Sequence, residues 1–112
     1  MLDSYPTDPN LLKNILEPLL EDFQYWFGRS QSLLESEKIS FLGQAGQADL
    51  LARVVRAREE VNTAKMLLNV TDGQAGVDMA VLMPWHKLLT ECWQVAMRFR
   101  QERSSDTAPE AG

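Results

Sequence analysis

Residues 50–68 read LLARVVRAREEVNTAKMLL, and their spacing decides the fold. Leu50, Val54, Ala57, Val61, Ala64 and Leu68 follow one another at steps of four, three, four, three and four. An α-helix returns side chains to one face at that interval, so the stretch predicts a long helix with a heptad-like apolar seam. Leu51, Val55 and Met66 widen its flanks. Asp49 stands where an acid suits the positive end of a helix dipole. NVTDGQAG, residues 69–76, is rich in turn formers and predicts the end of the helix.

Such a seam needs a cover, and a second periodic stretch lies upstream. Asp8-Pro9 offers an N-cap followed by a proline at the first helical position. Leu11, Leu12, Ile15, Leu16, Leu19, Leu20, Phe23, Trp26 and Phe27 then recur at three- and four-residue steps, a wide apolar stripe expected to be core. Pro18 lies inside it and predicts a kink, because proline lacks the N–H that would bond the carbonyl of Asn14. Leu33 and Leu34 carry the helix to about Glu35. ESEKISFLGQAGQAD has no clear period: Gly43 and Gly46 weaken helix, and Ile39, Phe41 and Leu42 read as a short packed connector. A link this short makes its two helices antiparallel neighbours.

Downstream, Val77 to Met83 reads as either a short helix or an extended connector. Pro84 then suits the first position of a third helix running to about Arg103. The expected fold is all-α: an elongated antiparallel three-helix bundle, with residues 70–83 as a candidate fourth short helix. Residues 1–8 are expected to be a flexible arm, 9–103 a single helical domain, and 104–112, small, polar and proline-containing, a disordered tail.

The 112 residues suffice for one modest core, and the shares of 45% hydrophobic and 24% charged residues are those of an ordinary globular chain. No apolar run approaches a membrane span, and MLDSYPTDPN lacks the basic and apolar regions of a secretory signal, so a cytoplasmic protein is expected. One cysteine excludes an internal disulfide framework. The net charge of −5 lacks the basic excess by which nucleic-acid binders neutralise phosphate. GQAGQAD lacks the Lys-Ser/Thr ending of a phosphate loop.

PWHKLLTECW, residues 84–93, concentrates the single His, the single Cys and two of the three Trp. At 100° per residue, Trp85, Leu88, Cys92, Ala96 and Phe99 share one face, flanked by Leu89 and Val95. Cys92 therefore reads as a small core residue. His86 points elsewhere, so the two can neither share a metal nor form a nucleophile pair. His86 and Thr90, four apart, are placed for a local hydrogen bond. No catalytic, cofactor-binding or metal-binding residue is assigned. Trp93 falls at the edge of the stripe, on the side of His86, with Met97 one turn on and Arg100 beyond. An aromatic, a Met and an Arg on one flank have the composition of interaction surfaces, although Trp93 could equally pack on helix 1 or on residues 70–83. Tyr25 falls opposite the helix 1 stripe, either a contact residue or an ordinary exposed Tyr. Trp26 beside it completes the candidate partner-binding set: Tyr25, Trp26, His86, Trp93, Met97 and Arg100. Glu17, Glu21 and Asp22 read as a solvated face. Arg53, Arg56 and Arg100 or Arg103 form a candidate basic patch, interrupted by Glu59 and Glu60.

Four stretches, LEPLLEDFQYWF (16–27), LLESEKISFL (33–42), QADLLARV (47–54) and TDGQAGVDMAVLMPWHKLLTECW (71–93), carry a resemblance. Over residues 10–100 the chain resembles a small cyanobacterial family of unknown function. The resemblance implies a cyanobacterial cytosol and a link to β-carboxysome assembly, as a factor engaging a shell protein. It brings no catalytic residue and no cofactor. Three expectations follow. The first is a non-enzymatic assembly factor or chaperone that holds a partner's peptide in a groove between helices, the leading client being a carboxysome shell protein or its terminal peptide. The second is a structural subunit that self-associates, with the helix 2 seam closing a homodimer. The third is a pigment or tetrapyrrole carrier, or a minor enzyme, using His86 or Cys92 as an attachment point.

Overall fold

The structure is a computed structural model, which describes residues 9–71 and 79–107. Three helices, α1 (Pro9–Ser36), α2 (Gly43–Val70) and α3 (Met79–Thr107), account for nearly all of these residues, with one 3-10 turn at Ser40–Leu42 between α1 and α2. The described residues contain no strand. At a rise of 1.5 Å per residue, 28-residue helices reach about 42 Å. The chain is elongated, 71 × 29 × 19 Å along its principal axes.

Cross-helix contacts give the directions. Lys65 pairs with Glu21, Gln24 with Asn62, and Arg58 with Gln31, so α1 and α2 run antiparallel. Trp85 bonds Glu60 and Arg53 bonds Glu91, so α2 and α3 do too. Phe23 meets Trp85, Trp26 meets Trp93 and Glu37 meets Arg103, so α1 and α3 run parallel.

The α2 seam lies in the core: Leu50, Val54, Ala57, Val61 and Leu68 are buried, and Ala64 packs against them. Its cover is intramolecular, supplied by Leu16, Leu20, Phe23, Phe27 and Leu34 of α1 and by Trp85, Leu89 and Cys92 of α3. The seam is therefore not available to close a homodimer. Phe23 stacks on Phe27 at 5.8 Å and meets Trp85 edge-on at 5.7 Å.

Several boundaries differ from expectation. The stripe of α1 divides: Leu11, Ile15, Leu19 and Trp26 are exposed. The stripe is wider than the faces that α2 and α3 cover, so its outer edge remains in solvent. Helix α2 begins at Gly43, six residues before Asp49. Gly43 ends the 3-10 turn at φ 73°, a left-handed conformation that suits glycine. The side chain of Gln47 holds this start in place: it accepts from the Ile39 N–H at 2.9 Å and donates to the carbonyls of Leu34 and Glu37 at 2.8 and 2.7 Å. Helix α3 already runs from Met79, so Pro84 sits inside it and not at its first position. The earlier start brings Leu82 against the core, offsetting the ladder bond that Pro84 removes. Residues 79–83 thus belong to α3, and no separate fourth helix occurs among the described residues. Helix α3 also continues to Thr107, past the expected end at Arg103. The expected arm at 1–8, the cap at Asp8 and residues 108–112 lie outside the described residues.

Candidate functional site

The site is built where the outer edges of α1 and α3 meet. On α1, Trp26 directly precedes the buried Phe27 and is turned about 100° from it, toward α3. On α3, Trp93 directly follows the buried Cys92 and is turned about 100° from it, toward α1. The two indoles meet edge to face, with centroids 5.8 Å apart and planes at 89°. Tyr25 packs edge-on against Trp26 at 5.0 Å. This geometry sets the positive ring edge of one against the negative face of the next. The three rings nevertheless keep 54% (Tyr25), 37% (Trp26) and 43% (Trp93) of their surface exposed, and Met97, one turn beyond Trp93, keeps 52%.

Arg29 belongs to this ledge, beyond the six residues that the sequence singles out. Its guanidinium lies 5.8 Å from the Tyr25 centroid and 5.9 Å from that of Trp26, and Nη1 donates to the Tyr25 hydroxyl at 3.0 Å. The sequence held the signal: Arg29 follows Tyr25 by four residues and Trp26 by three, both neighbouring positions on a helix.

Of the candidate residues, the structure brings Tyr25, Trp26 and Trp93 into ring contact, and Met97 is exposed one turn beyond Trp93. Trp26, expected in the core stripe, stands half out of it. Trp93 answers both readings at once, packing on α1 and remaining exposed. His86 and Arg100 are exposed and lie seven residues before and after Trp93, about 10 Å along the axis, so they extend the flank and do not join the rings. The Thr90 hydroxyl donates to the backbone carbonyl of His86 at 3.0 Å and leaves the imidazole aside.

Cys92 is buried beneath the ledge. Burial pushes its thiol up, partly offset by a hydrogen bond with Ser30, so the sulfur is held as the unreactive thiol. His86 lies in solvent on another face, so the two form no joint attachment point. Among the described residues no three His, Cys, Asp or Glu side chains come together as a metal-holding group. The expected basic patch is taken up by ion pairs. Arg53 holds Glu91 through two bonds of 2.9 Å and Asp49 at 2.9 Å, Arg56 lies 3.5 Å from Glu60, and Arg103 lies 3.6 Å from Glu37. The hydrogen bond from Arg53 holds the Glu91 carboxyl below the usual carboxylate range.

A groove of about 780 Å³ lies between the C-terminal half of α2 and the start of α3, lined by Glu60, Leu67, Val81 and Trp85 among others. The indole N–H of Trp85 is already bonded to Glu60 at 3.0 Å, so the groove presents mainly apolar wall. No helix among the described residues is long and apolar enough to cross a membrane.

Residues 6–101 match the model of a family described as a protein of unknown function (DUF2605), and the chain belongs to that family. No curated protein and no solved structure matches it.

Proposed function

We propose that this member of the family is a non-enzymatic interaction protein, an assembly factor or chaperone that captures a protein partner on the ledge of Tyr25, Trp26 and Trp93. One observation carries the reading. Three aromatic rings pack together across two helices yet remain about half exposed, with the exposed Met97 one turn beyond Trp93. Rigid aromatic side chains lose little freedom on binding, and Trp, Tyr and Arg dominate the energetics of interfaces. Arg29 adds a charge beside the rings for a partner's carboxylate.

The client implied by the sequence resemblance is a β-carboxysome shell protein, engaged through its terminal peptide, in the cytoplasm of a cyanobacterium. Binding there hides apolar surface that would otherwise aggregate before assembly.

The test is a titration of the purified chain with synthetic terminal peptides of β-carboxysome shell proteins, read by tryptophan emission. Trp93→Ala and Tyr25→Ala serve as variants, with helicity as the check on the fold. Saturable binding that each variant weakens at least about tenfold supports the reading. Binding unchanged in both folded variants removes the ledge as the site. Silence across the peptides, with no partner captured from a cyanobacterial lysate, removes the shell-protein client.

A further inference from the structure

Among the described residues, six of the twelve exposed large apolar side chains lie along one edge. Ile15, Leu19, Tyr25 and Trp26 of α1 join Trp93 and Met97 of α3 along the α1–α3 edge, each between about a third and three fifths exposed. At roughly 200 Å² for a whole large side chain, these six leave on the order of 600 Å² uncovered. That is the upper end of the largest patch on a typical monomer, about 300–600 Å². It is also most of the roughly 800 Å² that one partner buries in a standard interface.

The charges on this edge are arranged about Trp26. Along α1 the edge reads Ile15, Leu19, Asp22, Trp26, Arg29 at steps of four, three, four and three. Asp22 lies one turn before the indole and Arg29 one turn after it. Among the described residues Arg53, Arg56, Arg98 and Arg103 each hold a carboxylate, whereas Arg29 holds only a phenol and Asp22 holds no cation. An acid and a base about one turn to either side of a central aromatic make a self-complementary strip. Turned end for end, the strip sets each charge against its opposite, as an isologous two-fold contact requires.

We propose that a second copy of this chain covers the α1–α3 edge, with a two-fold axis passing by Trp26. Asp22 of each copy pairs with Arg29 of the partner subunit, and the two aromatic ledges close over one another. The α1 and α3 helices of both copies then form a four-helix layer, and the α2 helices lie outside it. The pairing uses the same rings as the proposed client site, so dimer and client complex exclude each other. The dimer itself does not depend on the client reading.

Sedimentation equilibrium from micromolar to near-millimolar concentration, at about 0.15 M salt where the Debye length is about 8 Å, tests this. The wild-type chain is expected to move from monomer to twice the monomer mass. Asp22→Arg and Arg29→Asp, both at exposed positions where the fold survives exchange, should each raise the dissociation constant about tenfold or more. The double reversal Asp22→Arg/Arg29→Asp restores the opposite charges and should return it to within about threefold of wild type. Three outcomes overturn the dimer: a monomer at every concentration, a dimer indifferent to both single reversals, or a double reversal no better than the singles. A monomer that still binds client peptides removes this inference and leaves the partner reading standing.

Discussion

Trp26 and Trp93 close the surface seam between α1 and α3 with an edge-to-face contact of 5.8 Å, while Phe23 and Trp85 close it in the core at 5.7 Å. The two contacts are similar in geometry and opposite in setting. Trp85 is buried and bonded to Glu60, whereas Trp93 is nearly half exposed. Trp85→Ala is expected to cost about 3–5 kcal/mol, the range for a buried aromatic with its cavity. Trp93→Ala should cost only about 1–2 kcal/mol, because it forfeits one ring pair and half a side chain of burial. Urea unfolding of both variants checks the difference. Equal losses would make Trp93 a core residue and remove it as a binding group.

Gln47 ties the connector to α2 by three hydrogen bonds, to Ile39, Leu34 and Glu37. At about 0.5–1.5 kcal/mol for each bond, Gln47→Ala should lower stability by about 2–3 kcal/mol. Gln47→Glu keeps the size and the acceptor for the Ile39 N–H but loses both donors. It also sets a carboxylate against the carbonyls of Leu34 and Glu37. Its cost at neutral pH should match or exceed that of alanine and shrink as the new carboxyl protonates in acid. Hydrogen exchange at the Ile39 amide supplies a local readout: unchanged protection in Gln47→Ala would show that the side chain is dispensable there.

The α2 seam is legible because one face of one helix carries all the information: the step pattern from Leu50 to Leu68 names five buried residues and Ala64, which packs partly buried against them. The stripe of α1 was only half legible. Periodicity marks Ile15 and Leu16 alike as apolar, but which of them meets a neighbour depends on where α3 lies, and that is a tertiary fact. The start of α2 is not legible in the sequence because its determinant, Gln47, is a polar side chain acting on backbone groups up to thirteen residues away, which no local propensity encodes. The ledge was partly legible: Tyr25, Trp93 and Met97 fell outside the stripes and are exposed. Arg29 is legible only through its spacing of four and three residues from Tyr25 and Trp26, because its role comes from the rings beside it.

Arg53 and Glu91 clamp α2 to α3 through a two-pronged contact, and the pair makes an acid-limb prediction. The hydrogen bond from Arg53 depresses the folded Glu91 carboxyl, so its stabilisation is present above the unfolded value, about 4.3, and is lost as pH falls through the folded one. Both side chains are nearly half in water, so the contribution is small, under about 1 kcal/mol, and is screened by salt. The urea midpoints of wild type and Glu91→Gln should differ at pH 7 and converge in acid. A difference that persists below both values would come from packing and not from charge.

Cys92 supplies the test that separates a core thiol from an attachment point. It is buried, and burial raises its thiol while the Ser30 hydrogen bond partly opposes the rise. A disulfide reagent reacts with the thiolate and must wait for the chain to open, and each 1.4 kcal/mol of opening free energy slows the reaction about tenfold. With an opening cost of a few kcal/mol, labelling of the native protein at pH 8 should be at least about a hundredfold slower than in urea. The same raised thiol has a consequence for stability. Its contribution is fully present below the unfolded value near 8.5 and is lost as pH rises toward the folded one, because the unfolded chain releases the proton first. Cys92→Ala should therefore flatten the alkaline limb of the stability profile. Native labelling as fast as that of the unfolded chain would show an open sulfur and return covalent pigment attachment to consideration. Slow labelling with a flattened limb leaves Cys92 as packing beneath the Trp93 ledge and leaves binding to the rings above it.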